Sequence, residues 1–214
     1  MKILIIISSK SPNDFLLNCI QKLYRIQIDN DTHQYKICVI DSDSDNNSVY
    51  YKISKQFPNI DIYIVKNKNY EYGAWKKGYE IYPDYDIYFT LQDSMIITQK
   101  IDLNIVNDNN AYIWKHISGY FSHTEIKEKG IENLKTTNLN YEPIIDTRFS
   151  LAFGSIFIVS NNVLKDMLNT LTVLPTDKTG SCIYERNIGI YFICKNINTI
   201  DLQGKLIKEH KNRI

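Results

Sequence analysis

The chain has 214 residues, room for one sizeable α/β domain, and its 43% hydrophobic and 23% charged residues are ordinary for a globular fold. Its 25 Lys+Arg against 24 Asp+Glu leave a formal charge of +1, which argues against the broad basic surface of a nucleic-acid binder. Only 8 glycines and 5 prolines are present, so collagenous, disordered and linker-like readings fall away.

Ile3 to Ile7 is an apolar run that predicts a strand buried on both faces, ending at Ser8 and Ser9. Ser11-Pro12-Asn13-Asp14 then predicts a helix start, with Ser11 as cap, Pro12 at the first turn and Asp14 as capping-box acid. Phe15, Leu16, Cys19, Ile20 and Leu23 continue it with helical spacing. Tyr35 to Ile40 predicts a second strand, Val49 to Phe57 a helix, Ile60 to Val65 a third strand, Gly73 to Ile81 a helix and Asp86 to Leu91 a fourth strand. Further along, Ala111 to Lys115 reads as a strand, Glu125 to Leu134 as a helix and Asn138 to Phe149 as a long loop. Leu151 to Val159 reads as one strand, 161 or 162 to 171 as a helix, Ser181 to Cys194 as a helix and Asn198 to Leu202 as a short strand. No linker or repeat separates the halves, so one domain over 1–214 is expected.

This alternation implies a single mainly parallel central sheet flanked by helices, whose ligands gather at the carboxyl ends of the strands. Polar residues follow each of the first four strands: Ser8 and Ser9, Asp41 to Asp45, Asn67 to Tyr72, and Gln92-Asp93-Ser94. Asp41-Ser-Asp-Ser-Asp45 is not an EF-hand loop, because Asn46 and Lys52 stand where Gly and Glu are needed and a strand precedes it. It is either an Asx-rich turn or a carboxylate set accepting from a base or ribose. Asp93 at a strand's end suits a hard cation, or is a solvated turn acid. Gly73 at a helix start would let a ligand approach backbone N–H groups, with Lys76 and Lys77 adding charge, while Trp75 and Tyr79 read as packing residues.

Taken in order, Val39-Ile-Asp-Ser-Asp-Ser-Asp45, Asn69-Tyr-Glu-Tyr-Gly-Ala-Trp-Lys-Lys-Gly78 and Tyr88-Phe-Thr-Leu-Gln-Asp93 resemble a nucleotide-sugar glycosyltransferase of the GT-A fold, family 2 type, over roughly residues 1 to 100. The resemblance implies a nucleotide-sugar-binding half at 1–100 and an acceptor-binding half at 101–214. It implies donor contacts from Ser8, Ser9, Asp41, Asp43, Asn69, Tyr72, Gly73, Lys76 and Gln92, and Mn²⁺ or Mg²⁺ on Asp93, with help from Ser94, water or the distal His210, which is otherwise a solvated tail residue. Leu91 stands where the first acid of the family's Asp-x-Asp would be, and Trp75 and Lys76 replace its usual Arg and Asn. More faintly, Phe153 to Ser160 is similar to the family's acceptor-side strand, and Tyr184-Glu-Arg-Asn-Ile-Gly189 occupies the region of its catalytic base. That makes Glu185 the base candidate, with Asp177 in reserve; otherwise Glu185 is a salt-bridge partner of Arg186 or another cation.

The implied activity is inverting, metal-assisted transfer of a hexose from a UDP-, GDP- or dTDP-sugar to a glycan, glycoprotein or lipid hydroxyl. The alternative is an inactive nucleotide- or glycan-binding module of the same fold. A nucleotidyltransferase or dinucleotide dehydrogenase is disfavoured, because no glycine-rich loop follows the first strand. The longest apolar run is far short of the roughly 20 residues of a membrane span. The N-terminus makes a poor signal peptide. The 4 cysteines show no paired spacing and read as reduced, buried thiols. With the Ile, Asn, Lys and Tyr skew of an AT-rich genome, these features predict a soluble cytoplasmic protein, in the host cytoplasm if viral.

Overall fold

A computed structural model describes residues 1–29, 31–45, 47–119 and 124–209. The first half runs β1 (Lys2–Ser9), α1 (Asp14–Leu23), β2 (Gln34–Asp41), α2 (Ser48–Gln56), β3 (Asp61–Ile64), α3 (Tyr70–Ile81), β4 (Ile87–Gln92) and β5 (Met95–Ile97). The second half runs β6 (Asn110–Ile113), β7 (His116–Gly119), α4 (Thr124–Lys135), β8 (Phe149–Ala152), β9 (Phe157–Ser160), α5 (Asn161–Thr170), α6 (Lys178–Cys194), β10 (Asn198–Asp201) and β11 (Leu206–Lys208).

Seven strands form the central sheet in the order β10-β6-β9-β4-β1-β2-β3. β1 pairs in parallel with β2 and β4, β2 with β3, and β6 with β10, while β9 runs antiparallel to β4 and β6. The expected mainly parallel sheet flanked by helices is therefore present. Two-stranded ribbons β5-β11 and β7-β8 lie outside it.

The pleat of β1 explains the layering. Ile3, Ile5 and Ile7 point to one face and join Leu16, Cys19 and Ile20 of α1 and Val49 and Ile53 of α2. Leu4 and Ile6 point to the other and join Trp75 of α3, Leu164 and Met167 of α5 and Ile188 and Tyr191 of α6. Both faces are covered, which is why the run carries no polar alternation. Trp75 packs edge-on to Phe157, with ring centroids 4.7 Å apart, and Tyr79 tilts against Tyr88, as their packing reading expected.

Several local expectations are corrected. The cap of α1 is Asn13, whose side chain accepts from Phe15 N at 2.8 Å. Ser11 instead has φ +60° and donates its N–H to Ser44 Oγ. Helix α3 begins at Tyr70, not Gly73, so Gly73 lies inside its first turn and donates to Asn69 O at 3.1 Å. The single strand expected over Leu151 to Val159 is two strands. A 3₁₀ turn at Phe153–Ser155, with Gly154 at φ +66°, hands the chain from the β7-β8 ribbon to the central sheet. Strands β5, β7 and β11 were not expected. Among the described residues no helix is long and apolar enough to cross a membrane.

Candidate functional site

The chain leaves β1 toward β2 and β3 on one side and returns to β4 on the other, which makes β1/β4 the switch point of the sheet. Ligands of such sheets bind in the crevice opened there. A cavity of about 310 Å³ lies at that place, lined by Ser8, Ser9, Lys10, Ser42, Tyr70, Glu71, Gln92, Asp93, Ser94 and Lys208.

The two strand ends are tied together beneath it. Asp93 N donates to Ser8 O at 3.0 Å, and Ser8 Oγ donates to Leu91 O at 3.2 Å. Ser9 Oγ donates to Asp93 Oδ2 at 2.8 Å, and Lys10 N reaches the same oxygen at 3.4 Å. Burial raises the Asp93 carboxyl above its usual range. Ser9, the Lys10 N–H and the charge of Lys208 oppose that shift, and Glu71 adds to it.

Gln92 is the hub of the second wall. Its Nε2 donates to Glu71 Oε1 at 2.9 Å and to Gly154 O at 3.1 Å, and its Oε1 accepts from Lys208 Nζ at 2.7 Å. Gly154 in turn donates its N–H to Glu185 Oε1 at 3.0 Å. Glu185 is only 9% exposed, and burial pushes its carboxyl up to about 7. The Gly154 N–H, Lys178 and Arg186 pull it back, and Glu71 pushes it further up. A carboxyl poised near neutrality behind a polar cavity has the character of a general acid or base.

The remaining expected residues divide. Ser8, Ser9, Gln92 and Asp93 line the cavity, whereas Glu185 lies outside the lining, bonded to the N–H of Gly154, whose carbonyl accepts from Gln92. Asp41 is fully buried. Its Oδ1 accepts from Ser44 N at 2.7 Å, and its Oδ2 from Ser44 Oγ at 2.6 Å and from the Tyr50 hydroxyl. It therefore acts as the Asx turn closing β2 rather than as an acceptor facing ligand. Asp43 sits in that turn at φ +62°, exposed and away from the cavity lining. Tyr72 is core: its hydroxyl donates to Leu171 O and its ring lies 4.5 Å from that of Tyr184.

Gly73 is close to Asn67, not to a ligand; a Cβ there would stand 1.9 Å from Asn67 Oδ1. Asn69, Gly73 and Lys76 line a neighbouring recess of about 220 Å³. Asn67, in its wall, donates to Ser42 Oγ of the main cavity at 3.2 Å. Asp177 caps α6, accepting from Gly180 N at 2.6 Å, and so is engaged as a helix cap. Lys10, Glu71 and Lys208 were missed. Glu71 stands inside the quoted Asn69–Gly78 motif, whereas nothing local in the sequence points to Lys208.

The oxygens that the cavity could offer a divalent ion are few. Two carboxylates line the cavity, Asp93 with Oδ2 engaged by Ser9 and Lys10, and Glu71 with Oε1 engaged by Gln92. Leu91, in place of the companion acid, is buried in the core, and an ammonium stands close by. Among the described residues no group of three His, Cys, Asp or Glu side chains converges anywhere. His210 lies outside the described residues.

The turn that frames the cavity can be tested through its buried carboxylate. Tyr50→Phe removes one donor from Asp41 and is expected to cost about 1–3 kcal/mol, read from urea unfolding at pH 7. Unchanged stability would mean that the hydroxyl does not hold the turn. No protein-family model matches the sequence, and comparison with curated proteins finds no relative.

Proposed function

We propose that this chain is a GT-A glycosyltransferase that moves a sugar from a nucleoside-diphosphate donor to an acceptor hydroxyl with inversion. The observation carrying the proposal is Glu185, a buried carboxyl raised to about 7, held by the N–H of Gly154, the residue whose carbonyl accepts from Gln92 in the wall of the switch-point cavity. Ser94 offers a hydroxyl to the donor, while Ser8 and Ser9, whose hydroxyl protons go to Leu91 O and Asp93, present only oxygen acceptors. The acceptor oxygen attacks the anomeric carbon, and its proton passes to Glu185. The bond from that carbon to the diphosphate oxygen breaks, and its electron pair leaves with the nucleoside diphosphate.

A screen of UDP-, GDP- and dTDP-sugars for release of the nucleoside diphosphate, run with and without Mn²⁺, tests the reading. Turnover of at least one donor, faster with an acceptor glycan present, is the expected result. Binding of a nucleoside diphosphate without turnover of any donor would favour the second reading, an inactive binding module. The substitution of Leu91 for the first acid, with its side chain buried in the core, favours that reading. No binding at all would overturn both.

A further inference from the structure

A strand remote in sequence delivers a cation to the cavity. β11 pairs antiparallel with β5, the strand that follows Asp93-Ser94, with Lys208 opposite Met95. Glu209 N donates to Ser94 O at 2.8 Å, and Glu209 Oε1 accepts from Asn18 Nδ2 at 3.0 Å, so the segment is fixed on both sides of Lys208. Lys208 Nζ, in the cavity lining, donates to Gln92 Oε1.

The orientation of that amide follows from its other partners. Glu71 Oε1 and Gly154 O are both acceptors, so the Gln92 nitrogen faces them and its oxygen faces the lysine. A neutral amide thus anchors the ammonium without cancelling its charge, and an ammonium has three donors, of which this contact uses one. Asp93 and Glu71 share the cavity, yet among the described residues Lys208 forms no ion pair with either. Lys10 also lines the cavity, with its backbone N–H on Asp93 Oδ2.

We infer that Lys208 is the built-in counter-charge of this site: its ammonium binds the diphosphate of the ligand and stabilises the charge that develops when the diphosphate leaves, the task a divalent ion would otherwise perform. This rests on the nucleoside-diphosphate reading above, and it accounts for an ammonium that stands in one cavity with Asp93 and Glu71 yet is anchored on a neutral amide. A preorganised cation aimed at developing charge is a recognised means of stabilising a leaving group.

Calorimetry on the full chain with inorganic pyrophosphate and with UDP, GDP and dTDP, each in EDTA and then in Mn²⁺, tests the inference in wild type, Lys208→Met and Lys208→Arg. Thermal melts establish that each variant is folded. The wild type is expected to bind pyrophosphate in EDTA. Lys208→Met should weaken that binding roughly 10- to 100-fold, while Lys208→Arg should stay within about threefold. Binding that appears only with Mn²⁺, a folded Lys208→Met that binds as the wild type does, or no binding in EDTA would each overturn the inference. The first of these leaves the donor reading standing. Lysine-dependent pyrophosphate binding, with no nucleoside diphosphate held more tightly, supports the inference while sinking the nucleotide reading.

Discussion

Glu185→Gln is expected to lower sugar transfer by about 10²- to 10⁴-fold, the range of a lost general base, while leaving nucleoside-diphosphate binding intact. Glutamine keeps the oxygen that accepts from Gly154 N, so the 3₁₀ corner it holds should stay in place. In the wild type the rate should rise with pH through an apparent pKa of about 7, because only the ionised carboxylate accepts the proton. The same group makes a stability prediction of opposite sign. A carboxyl raised from 4.5 to about 7 on folding binds its proton more tightly in the folded state. Its favourable contribution is complete below the unfolded value and is lost as pH rises through about 7. Glu185→Gln should therefore flatten the fall in unfolding free energy between pH 5 and 8, an effect on the order of 2–3 kcal/mol. Wild-type-like turnover in the folded variant, with the ascending pH limb intact, would show that Glu185 only holds the Gly154 corner.

The parts of this site that were legible in the sequence are those that local pattern controls. β1 is a continuous apolar run from Ile3 to Ile7, and β2 and β4 are largely apolar, because helices cover both faces of the sheet; the polar residues that end β1 and β4 therefore mark the switch point directly. Asp41 was visible as a residue of interest, but its two readings differ only in what fills its oxygens. Ser44 and Tyr50, three and nine residues on, are what fill them. Gly73 gave a signal of close approach, and the approaching group proved to be Asn67, six residues earlier in the chain. The break at Phe153–Ser155 was hidden because the residues on both sides of it are apolar, and only the backbone turn at Gly154 separates them. Lys208 had no signal. It reaches Gln92 across 116 positions through a three-residue strand, too short for any periodicity to reveal.

Helix α6 carries both the candidate base and the means of seating it. Gly189 lies four residues, about one turn, after Glu185, on the same side of the helix. A Cβ there would stand 2.3 Å from Ser150 O and 2.9 Å from Leu151 Cα. Those atoms belong to β8, whose ladder with β7 pairs Ile117 with Leu151, so they cannot swing aside as a side-chain tip would. The missing Cβ lets α6 sit down on β8, and β8 runs directly into the Gly154 turn that hydrogen-bonds Glu185.

Gly189→Ala is accordingly expected to destabilise the protein by about 3 kcal/mol or more, the upper range for overpacking, even though alanine is the better helix former by about 1 kcal/mol. For a chain of this length that is a fall in Tm of roughly 6–12 °C. Gly204→Ala is the contrasting control. Gly204 has φ +89° with nothing near its missing Cβ, so the substitution meets backbone strain alone, about 1–2 kcal/mol. Because the overlap at Gly189 pries α6 from β8, the alanine variant should also lose transfer activity at temperatures where it is still folded, and Gly204→Ala should not. A Gly189→Ala protein that melts within about 2 °C of the wild type, less than 1 kcal/mol at this size, would show that helix and strand do not meet as closely as the structure has them.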